Sequence, residues 1–250
     1  MTYSRDDATW IRAFHPGPPA ARRLVCFPHA GGAASFYFPL SAVLKPDVQV
    51  LAVQYPGRED RFGESVIEDL GLLAEEVAAV LDAAAHPRLV LFGHSMGALL
   101  AFEVTRQLER LGRTPARLVV SGMEAPSRRR WADQPGDDRS ILDEVRLLHG
   151  LSPSALDNDE LREIHLPILR GDYRAVDAYR VDPKATVSCP ITAFVGDADP
   201  LVGVRNVAAW ADHTSSSFEI SSFPGGHFYL HEFPPRFTAA VALQCESSAR

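Results

Sequence analysis

Six short aliphatic runs, at residues 24–27, 48–54, 88–92, 117–121, 191–195 and 218–222, recur between stretches whose apolar residues return every three or four positions. Strands buried on both faces read as continuous aliphatic runs, and parallel neighbours need a crossover that is usually helical. The alternation therefore predicts an α/β chain, with a mostly parallel central sheet and helices on both faces. Helical spacing falls at 67–84, 98–111, 202–211 and 235–243, and Gly112 stands where a C-cap would close the second of these. A chain of 250 residues, 46% of them hydrophobic, accommodates one such domain over 1–250 with a modest insertion.

The insertion is expected at about 123–188, where the strand rhythm stops. A polar segment is followed by Ile141, Val145 and Leu148 at helical spacing, then by LREIHLPILRGDYRAVDAYR, in which Pro167 should end or kink a helix. Segments that cannot join the sheet are best placed as a helical cap, or lid, above its carboxyl edge, where open α/β folds bind ligands. Extra packing helices would give the same periodicity.

Composition removes several function classes. The N-terminus has no apolar stretch behind a basic one, and no window offers about 18 uncharged apolar residues, so a cytoplasmic protein without a membrane span is expected. Cys26, Cys189 and Cys245 are odd in number and widely spaced, and read as buried or incidental thiols rather than disulfides or a metal site. A net charge of −7 argues against nucleic acid as a partner. The run Arg128, Arg129, Arg130, close to the cap, offers a local basic patch suited to an acidic partner, and is equally suited to be a solvated charge run.

Residues 89–101, LVLFGHSMGALLA, place Ser95 between Gly93 and Gly97 at a junction of strand and helix. G-x-S-x-G in that context is a nucleophile elbow, in which the serine is exposed at the head of the sheet. A serine hydroxyl needs a base, and the base needs an acid to orient it. The acid is offered by GDADP after the strand at 191–195. Asp199 is preferred, with Asp197 shaping the turn. The base is offered by FPGGHF, where a glycine turn after the last strand delivers His227; His213 and His231 are its rivals, the latter on what reads as a helical start. Oxyanion donors are expected from the Met96 backbone N–H and from the loop FPHAGG, with Ala30 preferred over Gly31 and His29 shaping the loop. No G-x-G-x-x-G or lysine-bearing phosphate loop is present, and no cofactor is expected.

FPHAGG, YPGRE, GHSMG, LRGDYRAVDAY, GDADP and GGHF together resemble the type II thioesterases of polyketide and nonribosomal peptide synthesis, over about residues 10–237. The resemblance implies an α/β-hydrolase fold, Ser95, Asp199 and His227 as the triad, and removal of unwanted acyl groups from the phosphopantetheine arm of acyl or peptidyl carrier proteins. It implies a transient carrier partner; a monomer is the default expectation. Two positions depart from the family: Tyr55, where leucine is more usual before PGRE, and Gly171, commonly alanine, which is expected to loosen the cap helix and alter acyl-chain preference. Arg58 and Glu59 would pin loops beside the site or form a structural pair. The alternatives are a carboxylesterase or chain-releasing thioesterase of the same fold, or a non-catalytic binding module, which would not require all three triad residues.

Overall fold

In the computed structural model of the protein, which describes residues 7–18, 21–86, 88–128, 137–148, 158–231 and 233–246, seven strands form one sheet. They are β1 (Ile11–Arg12), β2 (Arg22–Phe27), β3 (Val48–Val53), β4 (Leu89–His94), β5 (Arg117–Ser121), β6 (Ile191–Gly196) and β7 (Phe218–Phe223). Their order is β1-β3-β2-β4-β5-β6-β7; only the β1–β3 pairing is antiparallel. The six aliphatic runs are the six parallel strands. The two-residue β1 has no run of its own and escapes sequence reading.

The helices are α1 (Asp7–Trp10), α2 (Phe38–Leu44), α3 (Leu70–Ala83), α4 (Met96–Arg110), α5 (Asp138–Leu148), α6 (Asp159–Ala178), α7 (Val204–Ala208) and α8 (Pro235–Glu246). Alternate strand residues feed two cores, one on each face of the sheet. Val25, Phe27, Leu89 and Leu91 pack with residues of α3 and α4, while Leu24, Cys26, Val90 and Phe92 pack with residues of α2 and α8. All three cysteines are buried free thiols, and burial raises the pKa of each. The stretch at 202–211 is α7 followed by a 3-10 turn, Ala209–His213, rather than one helix.

Among the described residues of 123–188 there is no strand; α5 and α6 occupy the stretch. Asn158 caps α6, its side chain accepting from the Glu160 and Leu161 N–H groups. Pro167 does not end this helix, which continues to Ala178. Packing beyond the proline supports the helix. Leu169 joins Ile141 and Val145 in a small separate cluster with α5, whereas Ala175, Val176 and Tyr179 sit in the main core. Arg170 adds a two-bond pair to Asp138 at 2.9 and 2.8 Å. The sixth helix is thus rooted in the body at its C-terminal end and shares its middle with α5.

Candidate active site

The tight turn after β4 is dictated by backbone contact. A Cβ on Gly93 would lie 1.9 Å from the Gly97 carbonyl oxygen, and one on Gly97 would lie 2.1 Å from the Phe27 carbonyl oxygen. Both positions therefore need glycine for close approach. Between them Ser95 adopts φ 54° and ψ −123°, a conformation that costs a non-glycine residue of order 1–3 kcal/mol and is typical of functional turns. Its N–H donates to the Ser121 carbonyl at 2.8 Å and its carbonyl accepts from Ala98 N–H at 2.8 Å, which anchors the strained turn to β5 and to α4.

The loops after β6 and β7 are clasped together. Gly225 N–H donates to Asp197 Oδ1 at 3.0 Å, and a Cβ on Gly196 would be 2.2 Å from the Gly226 carbonyl oxygen. Asp197 is exposed and shapes this junction. Asp199 is the carboxylate that meets the histidine: its Oδ2 lies 2.8 Å from His227 Nδ1, and its Oδ1 accepts from Leu201 and Val202 N–H at 2.9 and 3.1 Å. With side-chain exposures of 3% for His227 and 0% for Asp199, the pair is shielded from water. An Nδ1–H donated to the carboxylate leaves Nε2 as the acceptor nitrogen. That atom is buried without a hydrogen-bond partner, and His227 lines the same cavity as Ser95.

The rivals have other employment. His213 is held by the Ala185 carbonyl at 2.8 Å and the Ser127 hydroxyl at 2.9 Å, and is packed against Trp210 and Phe102. His231 lies on the surface in a turn that precedes α8, not on a helical start.

On the opposite side of Ser95, the loop leaving β2 carries Ala30 and Gly31. Gly31 has φ +76° and donates its N–H to Asp172 Oδ2 at 2.7 Å. Ala30 N–H has no partner among the described residues, and Ala30 lines the cavity. Met96 occupies the first helical position, where an N–H has no intrahelical acceptor. His29 packs edge-on against Phe36 and Phe228, 4.9 and 4.8 Å between ring centroids. Burial, helped by His227 and Arg58, lowers its pKa to about 3. His94 is likewise pushed well down, chiefly by burial; its Nδ1 is 2.9 Å from Ser121 Oγ, which is 2.5 Å from Tyr229 OH. Burial thus favours the neutral form of both imidazoles, and the His94 ring lies 5.0 Å from that of His227.

The cavity has a narrow lobe, beside His165, Leu169 and Phe228, and a wider one of about 450 Å³ beside Met123, Ile141 and Val202. Ser95, His227, Ala30, Leu148 and Tyr173 border both lobes. Residues of α5 and α6 therefore form one wall. No group of three His, Cys, Asp or Glu among the described residues is arranged to hold a metal.

Sequence reading left Arg58 between two roles and passed over Asp172. The two form a buried pair with bonds of 2.7 and 2.8 Å, whereas Glu59 accepts from Ser35 Oγ. The LRGDY segment was the available signal for Asp172. Gly171, expected to loosen α6, instead lets it approach: a Cβ there would lie 2.5 Å from Val66 Cγ1. Tyr55, the other departure, is buried and donates its hydroxyl to the Pro28 carbonyl at 3.1 Å, bracing the loop that holds Ala30. Arg128 is exposed; Arg129 and Arg130 lie outside the described residues.

A family model described as a thioesterase domain matches residues 22–246. The chain is 47% identical over 231 residues to the thioesterase PikA5 of Streptomyces venezuelae, covering 91% of this chain and 82% of that protein. It is 44% identical over 224 residues to a probable cadicidin biosynthesis thioesterase of Streptomyces griseus, covering 89% of this chain but 62% of that one. Among solved structures, the type II thioesterase BorB from the borrelidin biosynthetic cluster superposes with a TM-score of 0.87 at 43% identity, over 98% of this chain and 100% of that one.

Proposed function

The chain belongs to the thioesterase family, and on that premise we propose that it hydrolyses acyl thioesters carried on the phosphopantetheine arm of acyl or peptidyl carrier proteins, as an editing enzyme of polyketide or nonribosomal peptide synthesis. The observation that carries the reading is the His227–Asp199 contact of 2.8 Å, with an unpartnered Nε2, in the cavity that also holds the strained Ser95. Ser95 Oγ attacks the thioester carbonyl while His227 Nε2 takes its proton. Asp199 holds the ring in the productive tautomer and stabilises the imidazolium. Ala30 and Met96 N–H groups receive the oxyanion, and the pantetheine thiol leaves with the proton from His227. Water, deprotonated by the same histidine, then releases the acid.

The α5–α6 wall acts as a lid over the two lobes, and the small apolar cluster it shares with Leu169 separates from the main core at lower cost than the rooted C-terminal end of α6 would. Docking of an acidic carrier draws on Arg128. The reaction uses no cofactor, and a cytoplasmic setting suits a partner found on synthases. One substrate panel tests the whole reading: an acyl carrier thioester, the matching free pantetheine thioester and an oxygen ester. Carrier thioester should be hydrolysed fastest, Ser95→Ala should abolish turnover without unfolding, and Arg128→Glu should slow only the carrier-bound substrate. A strong preference for the oxygen ester would favour the carboxylesterase alternative, and unchanged turnover by Ser95→Ala would remove the nucleophile assignment.

A further inference from the structure

Asp172 is 2% exposed and stands on α6, far along the chain from the loop it touches. One oxygen, Oδ2, accepts from the Gly31 N–H at 2.7 Å and from Arg58 Nη1 at 2.7 Å; the other accepts from Arg58 Nη2 at 2.8 Å. Arg58 is itself buried, and its Nη1 also reaches the Gly32 carbonyl at 3.2 Å. Leu169, one turn earlier on the helix, packs over Gly31: a Cβ there would lie 2.7 Å from its Cδ2. Helix, YPGRE turn and the loop after β2 are thereby tied at one point.

Two consequences follow from elementary electrostatics. A loop containing successive N–H groups in a left-handed turn has several orientations open to it, and a charged acceptor that takes one N–H selects among them. A carboxylate one residue from a developing oxyanion would oppose it, unless a cation cancels the charge at contact. We propose that Asp172, neutralised by Arg58, is a positioning residue of the oxyanion hole: by taking the Gly31 N–H it fixes the loop so that the Ala30 N–H is the one presented to the oxyanion. The proposal rests on the Ser95 reading above. It makes the lid helix part of the apparatus that stabilises the transition state, since α6 carries the acceptor that sets the donor.

Two charge-free pairs separate the acceptor from the ion pair, since neither leaves a buried charge uncompensated. Arg58→Met with Asp172→Asn keeps an oxygen for the Gly31 N–H; Arg58→Met with Asp172→Leu removes it. The first should keep kcat within about tenfold of the parent. The second should lose about 10²–10³ in kcat, the size of one oxyanion donor, with KM within threefold and an equal loss in affinity for a boronate that mimics the tetrahedral adduct. Equal kcat values for the two pairs, or a loss confined to KM, overturn the proposal. Amide NMR of the unaltered protein gives a second test independent of how well the variants fold: Ala30 N–H should shift when the boronate binds and Gly31 N–H should not, and the reverse overturns the assignment. Ser95→Ala run alongside separates the failures. If it retains turnover, the thioesterase site itself is misplaced; if it is inactive and the two pairs match, only the role of Asp172 falls.

Discussion

At the scale of single residues, the two acids of GDADP make a controlled comparison. Asp199 gives one oxygen to His227 and the other to two backbone N–H groups, so it is fixed before substrate arrives. The Asp197 side chain holds Gly225 N–H alone among the described residues and stands at the surface. Asp199→Asn should leave the geometry nearly intact but favour the wrong imidazole tautomer, lowering kcat by about 10⁴. Asp197→Ala should cost about 0.5–1.5 kcal/mol of stability and leave kcat within a few-fold. Steady-state kinetics with thermal melting on both variants checks this, and a larger kcat loss for Asp197→Ala would reverse the assignment. The turns that carry Ser95, Asp199 and His227 were readable from sequence because each lies directly after a strand, where local glycines announce the geometry. Asp172 was not, because its partners are Arg58 and Gly31, and only the folded chain brings α6 against the loop.

At the scale of elements, the sixth helix is where sequence reading and structure differ most. Of the two outcomes expected at Pro167, an end or a kink, the end does not occur: packing of Leu169 and the Arg170–Asp138 pair carry the helix past it. The six parallel strands, by contrast, were legible to within two residues; five are largely buried aliphatic runs, which have few other uses, whereas β7, with Glu219, Ile220 and Ser222 exposed, is the mixed one. Gly171 illustrates why contacts decide. Glycine in a helix interior usually costs about 1 kcal/mol relative to alanine. Here Val66 is gripped from both sides: a Cβ on Gly57 would lie 2.5 Å from one of its methyls, and a Cβ on Gly171 2.5 Å from the other. Gly171→Ala should therefore destabilise by about 1–3 kcal/mol of overpacking, less the propensity gain, and slow turnover by displacing Asp172. Adding Val66→Ala should restore much of both. A rise in Tm for Gly171→Ala alone would show that the helix has slack there.

At the scale of the whole molecule, the sheet order gathers the ends of β2, β4, β6 and β7 at one edge, and that edge also collects histidines. Composition indicated nine histidines without indicating their burial. His29 and His94 are held neutral mainly by burial, and His213, on the far side of α4, is lowered for the same reason. The sign of the stability effect follows from proton counts. Each folded-state pKa lies below the unfolded value near 6.5, so at lower pH the unfolded chain binds protons that the folded chain excludes, and stability falls as pH falls. For His29 the window runs from about 6.5 down to about 3. The slope approaches about 1.4 kcal/mol per pH unit for each histidine kept fully neutral. Urea unfolding should therefore give a free energy that is flat around pH 7.5 and declines between pH 6.5 and 5, before most carboxylates titrate. His94→Asn should remove close to one proton's worth of that slope, whatever it does to absolute stability. A free energy independent of pH across this window would mean that the imidazoles beside His227 take up protons in the folded state, and that the base works among cations rather than neutral rings.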